Sequence, residues 1–203
     1  MERVITYVDG FNLYFGLKTS NFQRYYWLNV QRLAQNLLKP NQQLVRNKYF
    51  TARVSRPPDK QKRQSIYIEA LETLLKVDIF YGHYQQNPFD CKKCGNRTWI
   101  PNEKMTDVNI AVEMLTDAFQ DKFDTALLIS ADSDLSAPIK RVQTLFPQKQ
   151  VILAFPPNRA SEKLKQVAKS CFTIGRKKLM ESQFPDMVKK ANGFVLERPV
   201  SWK

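Results

Sequence analysis

The sequence has one histidine, three cysteines and no uninterrupted apolar run of about 18 residues. A single histidine, His83, argues against a serine or cysteine nucleophile with a histidine base unless His83 is itself that base. Any hydrolysis therefore needs another source of activated water. The chain has no apolar run of that length, and its amino terminus lacks the layout of a secretory signal. These two features predict a cytoplasmic protein with no membrane partner.

Two of the three cysteines form the pair Cys91-x-x-Cys94, with Gly95 directly after it. So few cysteines in a chain of this length favour a reducing compartment over a disulfide framework. The spacing is that of a zinc knuckle, for which His83 is a candidate third ligand of a structural Zn²⁺. The alternatives are two reduced thiols in a turn, or a pair that meets its counterpart across a homodimer. Cys171 lies in an apolar stretch and is predicted to be buried.

Acidic residues are also comparatively few, with 19 aspartates and glutamates against 32 lysines and arginines, so the formal net charge is +13. Such an excess favours a polyanionic partner, because each neutralised phosphate releases condensed counterions. A generally basic, solvated surface is the alternative. Arg53 and Arg56 are candidate contacts for a phosphate backbone. Tyr14, Phe15 and the run from Tyr25 to Trp27 are candidates for stacking on bases, or for the core.

The chain is long enough for one sizeable core, and its apolar patterns predict a single α/β domain. An apolar run over residues 4–8 ends at Asp9, and another over residues 126–130 ends close to Asp132, so both segments are predicted to be buried strands. Further strands are expected over 44–54, 77–84, 151–155 and 171–174, separated by helical patterns, one of them capped by Thr106. Alternating strands and helices predict a mainly parallel sheet covered on both faces.

The predicted domain occupies residues 1–180 and is interrupted by an irregular insertion at about 85–102, which contains the cysteine pair. Residues 181–203 have two prolines, one glycine and no clear apolar period. They are predicted to be a tail that packs loosely or binds a partner.

Aspartates follow both of the buried strands. An aspartate at one strand end is common, because turns and helix caps favour it, but several at one edge of a parallel sheet share the position where ligands gather. Clustered carboxylates repel each other unless a cation neutralises them, and oxygen ligands select Mg²⁺ or Mn²⁺. A metal-activated water would supply the nucleophile that a chain with one histidine otherwise lacks. The predicted cluster consists of Asp9, Asp107, Asp132 and Asp134.

Three motifs give the sequence a specific resemblance to a known family. In order, they are residues 8–13 (VDGFNL), 104–108 (KMTDV) and 130–135 (SADSDL). Over residues 2–180 the chain resembles the NYN family of PIN-like nucleases, including its LabA-like branch. The resemblance implies a Rossmann-like three-layer α/β sandwich and metal-dependent cleavage of single-stranded or structured RNA.

Matched motif by motif, the resemblance also implies roles for individual residues. Asn12 would orient a metal-bound water or a substrate phosphate, and Lys104 would face the scissile phosphate or pair with the carboxylates. The third motif commonly reads Gly-Asp-x-Asp-Phe in the family, whereas this chain has Ala131 and Leu135, which predicts a slightly different local geometry. The ion, Mg²⁺ or Mn²⁺, would be held by Asp9, Asp107, Asp132 and Asp134.

Three functions are compatible with these features. A metal-dependent endoribonuclease fits best, and an RNA-binding or regulatory NYN module with little or no catalysis is the alternative. A phosphohydrolase with an aspartyl nucleophile comes third, because that chemistry usually needs Asp-x-Asp at the first strand and residue 11 here is Phe11.

Overall fold

The secondary structure alternates between strands and helices, as the sequence predicts. The protein was analysed as a computed structural model that describes residues 1–90 and 92–203, apart from the side chains of 84–87 and 98–103. In chain order the strands are β1 (Glu2–Asp9), β2 (Gln42–Thr51), β3 (Val77–Tyr81), β4 (His83–Asp90), β5 (Arg97–Lys104), β6 (Thr125–Ile129), β7 (Gln150–Phe155), β8 (Ser170–Thr173), β9 (Met187–Lys189) and β10 (Val195–Glu197). The helices are α1 (Gly10–Thr19), α2 (Val30–Leu37), α3 (Pro58–Leu71), α4 (Thr106–Phe119), α5 (Ser136–Leu145), α6 (Glu162–Lys165) and α7 (Arg176–Glu181).

Six of these strands form one parallel sheet in the order β3-β2-β1-β6-β7-β8. The predicted α/β fold with a mainly parallel sheet is therefore confirmed. β1 lies between β2 and β6, and it pairs with β6 up to Val8 and Ile129. This pairing brings the ends of the two aspartate-terminated strands side by side.

The sheet separates two apolar cores, as expected for a three-layer sandwich. Successive side chains of β1 alternate between them: Val4 and Val8 face one core, whereas Ile5 and Tyr7 face the other. Helices α1, α2, α3 and α7 cover the first core, and α4, α5 and α6 cover the second. Within the described chain, no helix is both long and apolar enough to cross a membrane.

The segment between β3 and α4 is an antiparallel hairpin, β4–β5, outside the main sheet. The sequence predicted a strand over 77–84 and an irregular insertion over 85–102. The first prediction is wrong at its end, since β3 stops at Tyr81 and the hairpin begins at His83. Cys94 is exposed in the turn, while Cys91 lies outside the described residues. The zinc knuckle therefore stays a prediction.

Residues 182–203 pack against the body of the domain, so the expected loose packing is wrong. Trp202 contacts the rings of Tyr26 and Trp27, with centroids 5.6 Å and 6.3 Å apart. The indole Nε1 of Trp27 donates a hydrogen bond of 2.7 Å to the carbonyl of Pro185. The burial predicted for Cys171 is also wrong, because β8 is an edge strand and its side chains are exposed.

Candidate metal centre

The acidic residues lie where the strand order of the sheet reverses direction. From β1 the chain continues to β2 and β3 on one side, and it later returns to place β6, β7 and β8 on the other side. In open α/β sheets ligands bind outside the carboxyl ends of the strands at such a switch point. Asp9 is the last residue of β1, and Asp132 lies three residues beyond the end of β6.

Three carboxylates converge at this position. One oxygen from each of Asp107, Asp132 and Asp134 lies within 4.8 Å of the other two. Opposite ligands of an octahedral Mg²⁺ lie roughly 4.2 Å apart, since each Mg–O distance is about 2.1 Å. Small side-chain rotations would therefore bring all three oxygens onto one ion. The donor set of carboxylate oxygens suits a hard divalent cation, which would also relieve the repulsion among the three charges.

Asp132 and Asp134 are held by a short 3-10 turn that follows β6. An oxygen of Asp132 accepts a hydrogen bond of 3.0 Å from the backbone N–H of Asp134, so Asp132 caps the turn. Leu135, at a position where the family commonly has phenylalanine, is fully buried in the second core. This apolar anchor fixes the turn while the carboxylate of Asp134 stays exposed.

Asp107 reaches the cluster from the first turn of α4. The sequence predicted Thr106 as the cap of this helix, and that prediction is wrong. Thr106 is the first helical residue, and Met105 before it occupies the cap position with a left-handed φ of 79° and no side-chain cap. The amino end of α4, with its partial positive charge, therefore lies at the acidic cluster.

Asp9 occupies a buried position at the start of α1 and is only 4% exposed. Its Oδ1 accepts from the backbone N–H of Asn12, and its Oδ2 accepts from the hydroxyl of Ser130, both at 2.9 Å. Burial raises the pKa of Asp9 to about 6, against the lowering effect of these two hydrogen bonds. Among the described residues, the group of oxygens within 4.8 Å does not include Asp9. Direct contact between Asp9 and the ion stays a prediction.

Asn12 and Ser130 connect the amino end of α1 to the loop that follows β6. The side-chain oxygen of Asn12 accepts a hydrogen bond of 3.1 Å from the N–H of Ala131. The hydroxyl of Ser130 donates to Asp9 and accepts from the N–H of Asp132 at 3.0 Å. The sequence reasoning assigned no role to Ser130, although a hydroxyl between a buried strand and Asp-x-Asp was a usable signal.

Gly10 allows α1 to begin directly against β2. A Cβ atom at this position would lie 2.6 Å from the phenolic oxygen of Tyr49 and 2.8 Å from the carbonyl oxygen of Phe50. Only glycine avoids both contacts, which explains why glycine follows the aspartate that ends β1. The close approach fixes the start of α1, and with it the cap formed by Asp9.

The candidate substrate-binding cations lie around the same edge of the sheet. Lys104 is exposed at the end of β5, three residues before Asp107. Arg53 is exposed beyond the end of β2, and its guanidinium lies 4.8 Å from the ring centroid of Tyr81 at the end of β3. Arg56 is exposed in the loop before α3. Contacts of these residues with a substrate stay predictions.

His83 and Cys94 of one chain lie at opposite ends of the β4–β5 hairpin. The prediction that both bind the same zinc ion is therefore wrong. His83 begins β4 and pairs with Lys104, whereas the turn that carries Cys94 follows the pair Asp90 and Arg97 at the other end of the hairpin. Seven residue steps along a strand at roughly 3.3 Å each separate these ends by about 23 Å. A zinc ion in the turn would therefore need other partners.

Comparisons with known proteins agree with this fold. A sequence profile of the NYN domain matches residues 3–175. The 6-hydroxy-3-succinoylpyridine 3-monooxygenase HspA of Pseudomonas putida (strain DSM 28022 / S16) is 24% identical over 177 residues, covering 70% of this chain and 55% of that protein. The chain thus spans about half the length of this curated relative.

A solved structure shares the fold. The crystal structure of VPA0982, a protein of unknown function from Vibrio parahaemolyticus RIMD 2210633, has a TM-score of 0.57 at 19% identity and covers 90% of this chain and 96% of that one. At this identity the similarity concerns the fold alone.

The match to the NYN profile implies that this α/β protein, with its acidic cluster at the switch point of the sheet, belongs to the PIN-like nuclease superfamily, whose members typically use divalent metal ions. Within that superfamily, the chain belongs to the NYN domain family.

Proposed function

We propose that this protein is a metal-dependent endoribonuclease that hydrolyses phosphodiester bonds in RNA. The observation that carries the proposal is the convergence of Asp107, Asp132 and Asp134 at the switch point of the sheet, with oxygens within 4.8 Å. A Mg²⁺ or Mn²⁺ ion bound there would activate water and neutralise charge on a phosphate. The chain's own residues would hold the ion and fix its position through the hydrogen bonds of Ser130 and Asn12.

The charge distribution supports a nucleic-acid substrate. The formal net charge is +13, yet the edge that holds the metal ligands is acidic. Exposed cations near that edge, Arg53 and Lys104, would contact the phosphates on either side of the scissile bond. A metal cation bound between the carboxylates and the substrate would attract the phosphates that the carboxylates alone would repel.

An RNA-binding module without turnover is the second candidate, and one observation favours it. Both oxygens of Asp9 already accept hydrogen bonds from Asn12 and Ser130. If Asp9 serves only to hold the loop, the ion would have three protein ligands. A substrate phosphate would then bind to the ion in a different arrangement from that in a site with four aspartates. An aspartyl phosphohydrolase is disfavoured by the same contacts, since a nucleophilic carboxylate needs an accessible oxygen.

The relative's name raises the question of a monooxygenase reaction. HspA of Pseudomonas putida is named for oxidation of 6-hydroxy-3-succinoylpyridine, but this chain matches only 55% of it at 24% identity. We therefore do not extend that substrate to this chain, and we base the proposal on the acidic cluster.

The test is cleavage of a labelled single-stranded RNA in the presence of Mg²⁺ or Mn²⁺, with a chelator arm. We expect cutting that the chelator abolishes and that Asp132→Asn reduces by about 100-fold or more, since a metal ligand is lost. Asp59→Asn is the matched control, because it makes the same change at an exposed residue of α3. RNA binding by a wild-type protein that never cuts with any divalent ion would favour the non-catalytic module. Equal cutting by both variants would indicate a contaminating nuclease and overturn the proposal.

A further inference from the structure

A cavity of about 340 Å³ lies away from the acidic cluster. It is open to solvent and is lined by residues of the 3-10 turn Gln23–Tyr25, helix α7 and the C-terminal segment. Within the part of the chain that the structure describes, its lining contains no acidic side chain. The lining does contain four cations: Arg24, Arg176, Arg198 and Lys203.

Two of these arginines are exposed but held in place by aromatic rings. The guanidinium of Arg24 lies 5.1 Å from the centroid of Tyr25, and that of Arg176 lies 5.9 Å from the centroid of Phe22. The Nε of Arg176 also donates to the hydroxyl of Tyr25 at 3.1 Å. Neither arginine forms an ion pair with an acid of residues 1–90 or 92–203. Their charges are therefore available to a ligand.

The third arginine, Arg198, comes from the C-terminal segment and is largely buried. Its Nη2 donates to the carbonyl oxygens of Arg24 and Trp202, and its Nη1 lies 3.4 Å from an oxygen of Asp186. Its Nε is buried and has no hydrogen-bond partner among the described residues. Three arginines from distant parts of the chain thus line one depression, and of these only Arg198 is paired with an acid among the described residues. The like charges of Arg24 and Arg176 repel each other. An anionic ligand would offset that repulsion and satisfy the free donors.

The lining offers contacts to a nucleotide that a simple anion would leave unused. Arginine binds phosphate with two parallel hydrogen bonds, and unpaired bases stack on the planes of guanidinium groups as well as on aromatic rings. Met180 and the edge of Tyr25 add apolar surface beside the cations. A phosphate and its attached base would use both kinds of surface.

Helix α1 connects this cavity to the acidic cluster. Asp9 caps the amino end of α1, and after its carboxyl end the N–H of Phe22 bonds to the carbonyl of Leu17. Phe22 is the ring beneath Arg176. Ten helical residues at about 1.5 Å each make α1 about 15 Å long, so Asp9 and Phe22 lie at opposite ends of this helix. One strand of RNA is long enough to reach both.

We propose that this cavity is a second nucleotide-binding site, which takes a phosphate and its base from the single-stranded RNA that is held at the metal centre. The role in cleavage rests on the proposed nuclease function, but binding of RNA at the cavity does not. The site would set which nucleotides lie at the metal centre, because it anchors the strand at a fixed distance from the carboxylates.

The test measures binding of a short labelled single-stranded RNA to the full chain by fluorescence anisotropy, with chelator present so that no metal-dependent cleavage occurs. The double variant Arg24→Gln/Arg176→Gln should weaken binding by about tenfold or more, as loss of stacking and phosphate contacts predicts. The matched control is Arg32→Gln/Lys39→Gln, which removes the same charge from exposed positions on and after α2. We expect the control to change binding by less than about threefold.

A second variant keeps the cations and alters the cavity. Met180→Glu places a carboxylate among the arginines at an exposed position, so it should weaken binding without affecting folding. Competition between uridine monophosphate and the labelled RNA distinguishes a site for an RNA strand from a site for free nucleotides. Displacement from the cavity by the mononucleotide alone at micromolar concentration would overturn the assignment to RNA.

Two further results separate this inference from the proposed function. Loss of binding in the cavity variants of a protein that cuts no RNA would support the cavity site and reject the nuclease. Unchanged binding in those variants, or an equal loss in the charge-matched control, would overturn the cavity site even if the wild-type protein cleaves RNA.

Discussion

At the scale of single residues, the candidate metal centre depends on the side chains that position its aspartates as well as on the aspartates themselves. Ser130 contacts both Asp9 and the backbone of Asp132, and Asn12 holds the N–H of Ala131 between them. These hydrogen bonds join the end of β1 to the loop after β6, 121 residues later. Groups behind the ligands are expected to contribute to metal affinity because they fix ligand orientation.

The first prediction concerns the hydroxyl of Ser130. Ser130→Ala should lower the affinity for Mn²⁺ by about 10- to 100-fold, because Asp9 loses a donor and the N–H of Asp132 loses its acceptor. Isothermal titration with Mn²⁺ measures this without any assay of activity. Ser133→Ala is the control, since Ser133 supports the same turn through its backbone carbonyl. Equal affinities for the two variants would show that the Ser130 contacts do not position the site.

The second prediction concerns the absence of a side chain at Gly10. Gly10→Ala should lower the free energy of unfolding by about 1–3 kcal/mol, because its Cβ would overlap Tyr49 and the carbonyl of Phe50. Urea unfolding measures the change. Gly175→Ala is the comparison, since a Cβ there meets nothing within 4 Å and φ is −76°. We expect it to change stability by less than about 1 kcal/mol. Similar losses in both would contradict the close approach at α1.

At the scale of secondary-structure elements, α4 is joined to the sheet by a buried group of charges. Nζ of Lys48, in β2, lies 2.5 Å from an oxygen of Asp117 and 2.7 Å from one of Glu113, both in α4. The hydroxyl of Tyr7 donates to Asp117 at 2.8 Å, and burial holds the pKa of Tyr7 well above its usual range. The same helix carries Asp107 in its first turn, so these contacts fix the carboxyl-terminal half of the helix that brings Asp107 to the acidic cluster.

A third prediction follows from the burial of this group. Lys48→Met should lower the free energy of unfolding by about 3–5 kcal/mol, because Asp117 would keep a buried charge without its closest cation. Adding Asp117→Leu should restore part of the loss, since both charges are then gone. Chemical denaturation of the single and double variants measures the coupling. The control Lys165→Met breaks an exposed pair with Glu162 and should cost less than about 1 kcal/mol. A double variant no more stable than Lys48→Met would reject the argument.

At the scale of the whole molecule, the folding unit extends beyond the residues that define the family. The NYN match ends at residue 175, yet Phe184, Val188, Leu196 and Trp202 belong to the first core. The rings of Phe184 and Trp202 contact that of Trp27, which is fully buried. Residues 182–203 therefore complete the domain, and they also supply Arg198 to the cavity that Arg24 and Arg176 line.

The fourth prediction compares two phenylalanines of this segment. Phe184→Ala should lower the free energy of unfolding by about 3 kcal/mol, because the ring is 5% exposed and lies 5.5 Å from that of Trp27. Phe194→Ala should have little effect, since that ring is 60% exposed. Thermal unfolding followed by circular dichroism distinguishes the two. A loosely packed tail would instead give two equally stable variants.

The central sheet was predictable because its strands carry their own signals. The apolar runs before Asp9 and Asp132 are long enough to indicate buried strands, and the helices between strands indicate parallel pairing. The position of the acidic cluster was predictable from the same pattern, because the carboxyl ends of parallel strands lie at one edge of the sheet. Which oxygens meet was not predictable, because side-chain direction depends on contacts such as the one between Ser130 and Asp9.

The errors occurred where distant contacts outweigh local pattern. The apolar residues of 184–202 have no regular spacing, so their burial against Trp27 becomes visible only in three dimensions. The zinc proposal treated His83 and Cys94 as neighbours, whereas the hairpin places them at opposite ends of two strands. The cap position of α4 is Met105 and not Thr106, because the backbone adopts a left-handed conformation at Met105.

The position of β1 at the centre of the sheet has a consequence for protein synthesis. Its neighbour β2 follows it closely in the chain, but β6 begins only at Thr125. A nascent chain that has emerged as far as α4 contains Asp9 and Asp107 but lacks Asp132 and Asp134. Because chains emerge from the amino terminus, the acidic cluster is assembled only when the sheet is nearly complete. An early nascent chain therefore lacks the three converging carboxylates, and any property that depends on them arises late in synthesis.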